Sequence, residues 1–164
     1  MEMDEALKGK IAIAIAEYFF RIQNFRGVIN LRIVLNRFFA CDDFFDCCRQ
    51  DLHFKTDDVW AFVIEMLQKI GCKMSKKDIG DGSYKKIDEP LKGKIAVAVM
   101  ERHFWGLIEN APVGSCNINL KQFIKELVAL NEQFGFSPEE IEMFLWETLC
   151  ATGYGNLLAD HDRQ

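Results

Sequence analysis

Near the start of the chain the apolar residues alternate: Ile11, Ile13 and Ile15 are separated by Ala12 and Ala14. Period-two spacing of β-branched residues is the usual mark of a strand. Here the intervening residues are alanines, which favour helix and give a strand no polar face. Leu7, Ile11, Ile15, Tyr18 and Ile22 also recur at spacings of four, four, three and four, one continuous stripe on a helical surface. With Asp4 as the N-cap, the pattern predicts a helix over about 5–23.

The same pattern then returns. Glu5-Ala6-Leu7-Lys8-Gly9-Lys10-Ile11-Ala12 reappears as Glu89-Pro90-Leu91-Lys92-Gly93-Lys94-Ile95-Ala96, an offset of 84 residues. Asp88 precedes the second copy, and Pro90 falls in the first turn, where a missing N–H costs nothing. This segment predicts a second helix over about 89–108. Repetition continues beyond it. At an offset of 89, Val34, Leu35, Phe38, Phe39, Cys41 and Phe45 match Phe123, Ile124, Leu127, Val128, Leu130 and Phe134. At an offset of 82, Val59, Phe62, Glu65, Leu67 and Gly71 match Ile141, Phe144, Glu147, Leu149 and Gly153. Ser137-Pro138-Glu139-Glu140 reads as a capping box, flanked by Phe136 and Ile141 as a hydrophobic staple. Thr56-Asp57-Asp58 opens the matching helix of the first half. The expected fold is all-α: three-helix units at 1–79 and 80–164, sharing one core as a compact bundle with pseudo-twofold symmetry. The lysine-rich stretch from Lys73 to Ile87 is the joint.

Composition suits that reading. Half of the 164 residues are apolar (49%) and only three are proline, so the chain can fold as a globule, whereas about 80 residues alone would be marginal. The net charge of -5 is uneven. Lys73–Lys94 holds seven lysines against four acids, a local +3, and Ile95–Gln164 holds four basic residues against ten acids, a local -6. An acidic C-terminal part disfavours a broad phosphate-binding surface, which needs a positive field. Six cysteines do not repeat between the halves, and the acidic start lacks the flanks of a secretory signal. Free thiols in a reducing cytoplasm are expected. No run of eighteen apolar residues is present, so no membrane partner is expected.

Candidate chemistry is thin. Asp78 and Glu89 have the span of a calcium loop, but Gly80, Gly82 and Ser83 stand where carboxylates and the turning glycine belong. Cys41, Cys47, Cys48 and His53 lack the tight pair of a zinc site and read as a core stripe. His103 replaces Phe19 at a repeated position and could mark a polar pocket. The repeated carboxylates Glu17, Glu65, Glu101 and Glu147 lack the Glu-x-x-His partners of a di-metal bundle and read as exposed or capping residues. Neither a metal nor a cofactor is expected.

What remains is an aromatic surplus on a helical scaffold, with fourteen phenylalanines among its rings. Trp60 aligns with Glu142 and Trp105 with Arg21, so the matched positions tolerate water. Trp60 and Trp105, with Phe20 and Phe44 from the adjacent pairs, are therefore the expected protein-binding residues. The expected function is a small acidic protein-binding module, an inhibitor or adaptor, with self-association as a homodimer the direct competitor. Two alternatives stay open: an enzyme or ligand-binding protein with a pocket at His103, and a nucleic-acid regulator joining the linker lysines to Arg26, Arg32 and Arg37.

Overall fold

A computed structural model describes residues 3–22, 28–29, 33, 35–36, 52–74, 86–109, 125, 129 and 135–151. These residues form four helices: α1 (Glu5–Ile22), α2 (Thr56–Lys69), α3 (Glu89–Glu109) and α4 (Pro138–Ala151). A parallel bridge between β1 (Val28–Ile29) and β2 (Lys73–Met74) pairs Val28 with Lys73 and Ile29 with Met74. At two residues a strand it is too short to form a layer, and the described chain is all-helical otherwise. Among the described residues no helix is long and apolar enough to cross a membrane.

The alternating isoleucines are helical. Ile11 and Ile15 are fully buried, while Ile13 faces the other way and is half-buried, as a turn of about 100° per residue requires. Ala12, Ala16, Phe19 and Phe20 widen the buried face of α1. Ile95, Ala96, Val99, Met100, His103 and Phe104 bury the matching face of α3. Both helices start on an aspartate cap: the Leu7 N–H donates to Asp4 Oδ2 at 3.4 Å, and the Leu91 N–H to Asp88 Oδ1 at 2.9 Å.

α1 and α3 pack side by side. A Cβ placed on Gly9 would lie 2.8 Å from the Gly93 Cα, and one on Gly93 would lie 3.1 Å from the Gly9 Cα. Further along, Phe19 meets His103 at 4.8 Å and the edge of Phe104 at 6.0 Å between ring centroids. Contacts at both places join residues 84 or 85 apart, so the two helices run in the same direction. Parallel helices bring their positive ends together, and Asp4, Glu5, Asp88 and Glu89 offset that repulsion with negative charge in the first turns.

α2 and α4 complete the core. α2 buries Val59, Phe62, Val63, Ile64, Met66 and Leu67. It ends in a Schellman motif, with the Cys72 N–H donating to the Leu67 carbonyl, the Gly71 N–H to Gln68, and Gly71 at φ 85°. α4 begins at a closed capping box: the Ser137 N–H donates to Glu140 Oε1 at 3.0 Å and the Glu140 N–H to Ser137 Oγ at 3.2 Å. Ile141, Phe144, Leu145 and Leu149 face inward. Side chains from all four helices, with Leu35 and Leu52, make one contiguous apolar cluster.

Glu65 and Glu147 are half-buried ion-pair partners that tie helices together. Lys92 on α3 donates to Glu65 on α2 at 2.7 Å, and Lys8 on α1 lies 3.6 Å from Glu147 on α4. Glu147 also accepts the Met3 N–H at 2.9 Å. Glu17 sits between Arg21 at 3.0 Å and Lys69 at 3.6 Å. The Lys8 and Lys92 side chains are only 16% and 13% exposed, so these charges meet their carboxylates at the rim of the core.

Candidate functional site

The outer face of α4 is the largest departure from a closed core among the described helices. Glu139, Glu142, Trp146 and Cys150 are all exposed, and their spacings of three, four and four place them in one stripe. Trp146 is 41% exposed. That leaves on the order of 100 Å² of a large side chain in water. α4 carries four glutamates and neither lysine nor arginine. Glu140 is engaged in the capping box and Glu147 in its contacts with Lys8 and Met3. Glu139 and Glu142 make no ion pair among the described residues, so their charges face solvent beside the indole.

The matching stripe on α2 behaves differently. Asp57 and Gln68 are exposed at its ends, but Trp60 is half-buried against the core and Ile64 is fully buried. The position that Ile64 fills in the first half is therefore the one Trp146 leaves open in the second. The only other large apolar side chain in water among the described residues is Ile33.

Two cavities among the described residues lie elsewhere. One, of about 360 Å³, follows the seam of α1 and α3 and is lined by Ala6, Gly9, Ile13, Pro90, Gly93 and Val97, with Glu5, Lys10, Glu89 and Lys94 on its rim. Its floor is the close contact of two glycines, so its shape follows from the packing of the scaffold. The other, of about 660 Å³, is an open hollow at the start of α2 bounded by His53, Phe54, Lys55, Thr56 and Asp57. His103 lines neither cavity.

Of the residues expected to bind protein, Phe20 is corrected: it is fully buried, because it lies on the same face of α1 as Ile11, Ile15 and Phe19. A wide apolar face accommodates both members of the Phe19–Phe20 pair. Phe44 lies outside the described residues. Trp60 and Trp105 are half-buried, and the Arg102 guanidinium covers the Trp105 ring at 4.1 Å from its centroid. His103 is 6% exposed and packs against Phe19 and Phe104, a core position. Cys41, Cys47, Cys48 and Asp78 lie outside the described residues, and His53 is exposed in the loop before α2. Among the described residues no group of three metal-ligating side chains converges. Cys72 and Cys150 are free thiols, and burial pushes the Cys72 thiol up from its ordinary value.

Trp146 escaped the comparison of halves because its counterpart, Ile64, is also apolar. A signal was nonetheless present: a tryptophan on one helical line with Glu139 and Glu142 belongs to an acidic face and not to a core stripe.

The fold and this face define a helical bundle with an acidic, tryptophan-centred outer helix. No protein-family model matches the chain, and neither does a curated protein or a solved structure.

Proposed function

We propose that the protein is a small protein-binding module, an inhibitor or adaptor, whose docking surface is the outer face of α4 centred on Trp146. The exposure of Trp146 carries the reading. Covering about 100 Å² of indole contributes about 2.5 kcal/mol, the scale of an interface hot spot. Trp60 and Trp105 are secondary sites, since each is already half-buried and alanine there costs folding stability as well as any contact.

The scaffold holding this face is, on the same proposal, a duplicated three-helix unit, 1–79 and 80–164, arranged about a pseudo-twofold axis between α1 and α3. Supporting it are the exchanged ion pairs: Lys92 of the second half reaches Glu65 of the first, and Lys8 of the first reaches Glu147 of the second. Divergence between the copies then frees one face for binding while its twin stays closed around Ile64.

A photo-reactive benzoylphenylalanine at position 146 in the living source cell tests the docking surface. The expected result is an adduct with a different protein. That protein, once purified, binds the wild type about 30-fold more tightly than Trp146→Ala, as about 2 kcal/mol implies. The variant still unfolds in one cooperative transition above the temperature of the binding assay. An adduct only with a second copy of the chain would make the face a homodimer contact, and no adduct at all would remove it as a docking surface.

A further inference from the structure

Granting the Trp146 face as the docking surface, we infer that its occupant is a basic amphipathic helix, with one apolar side chain on the indole and lysine or arginine residues opposite Glu139 and Glu142. The stripe Glu139–Glu142–Trp146–Cys150 covers eleven residue steps, about 16 Å of helix, which matches three turns of a partner helix. Within it the charge has one sign. Glu142 stands about one turn from Trp146 and Glu139 about two, both toward the start of α4. A helix laid along this face meets an apolar contact in the middle and, to one side, two carboxylates with no ion pair among the described residues. Complementary cations on the partner speed encounter and set its register, while carboxylates there are repelled.

The same charges disfavour other occupants. A second copy docking face to face brings a helix with neither lysine nor arginine against another of the same kind. Phosphate-rich surfaces, whether nucleic acid or anionic lipid, meet exposed glutamates where they need cations.

The test uses the full chain with Trp60→Phe and Trp105→Phe, so that Trp146 is the only indole, and two 18-residue helical probe peptides. Both peptides carry leucine at the same helical spacing; one has lysine at the remaining positions and the other glutamate. Trp146 emission is expected to shift to the blue with the lysine peptide, at least 10-fold more tightly than with the glutamate peptide. The affinity should fall at least 3-fold between 50 and 300 mM salt, since exposed charges are screened over about 8–10 Å. Glu139→Lys with Glu142→Lys should abolish the shift, the corresponding glutamine pair should weaken it partway, and Glu5→Lys with Glu89→Lys, an equal charge change elsewhere, should not. Equal binding of both peptides, or binding indifferent to the reversal at 139 and 142, would overturn the basic partner while leaving docking at Trp146 intact. Emission unmoved by either peptide would also overturn it, and the adducts formed at position 146 decide the docking surface independently.

Discussion

Glu17 and Glu101 align at an offset of 84, yet their surroundings differ. Glu17 has Arg21 and Lys69 beside it, whereas the matching positions of the second half are Trp105 and Ala151. Burial therefore raises the Glu101 carboxyl above the ordinary glutamate value of 4.5, and the Lys8 cation pulls it only partway back. When the folded-state pKa lies above the unfolded one, folding disfavours the charged form. The penalty is fully present above the folded-state pKa, fades as pH falls through it, and is absent below the unfolded value. Glu101→Gln should accordingly raise the melting temperature at pH 7, with the gain shrinking through weakly acid conditions and gone by about pH 4. Melts of the two proteins across that range check it, and a constant gain or a loss at pH 7 would contradict the assignment. Residue-level reading of the sequence could match Glu101 to Glu17 but could not tell that its counter-ions had been replaced, because that requires α1, α2 and α3 together.

For the helices, Gly9 and Gly93 carry the sharpest test. A glycine inside a helix normally costs about 0.8–1.0 kcal/mol relative to alanine, so Gly9→Ala on an isolated helix would stabilise it. Here the added methyl would meet the Gly93 Cα at 2.8 Å, backbone that cannot swing aside. Overpacking of this kind costs about 1–3 kcal/mol or more, and the contact outweighs the propensity. Gly9→Ala is expected to lower stability by about 2 kcal/mol in denaturant titration, with Gly93→Ala similar or milder because its contact is looser at 3.1 Å. A gain in stability from either would mean that α1 and α3 do not touch there. The helices themselves were legible, since caps, alanines and the three-and-four spacing act within one segment. Parallel packing of α1 on α3 was not, because nothing local in either repeat names the other as its neighbour.

One apolar cluster runs through α1, α2, α3 and α4, and that continuity governs how the whole molecule unfolds. Leu67 on α2 and Leu149 on α4 are matched residues, both buried. Leu67→Ala and Leu149→Ala should each destabilise by about 2–5 kcal/mol. Each should shift one shared cooperative transition, because the buried cluster draws on all four described helices. Two resolved transitions, each sensitive to only one substitution, would show that the halves fold independently. At this scale the sequence-matched positions also part company: Ile64 is sealed in the core, whereas Trp146 is open to water beside exposed glutamates.

Sequence by itself determined what depends on near neighbours: four helices with their starts, the Ser137 capping box, and the apolar stripe along each helix. Period, cap and turn chemistry are short-range physics, and they read directly from spacing. Only tertiary structure decided which of two apolar residues at a repeated position is covered, which lysine meets which glutamate, and that Phe20 lies in the core while Trp146 lies in water. Burial and ion pairing depend on segments far apart in the chain, and 144 residues separate Met3 from the Glu147 carboxylate that accepts its N–H.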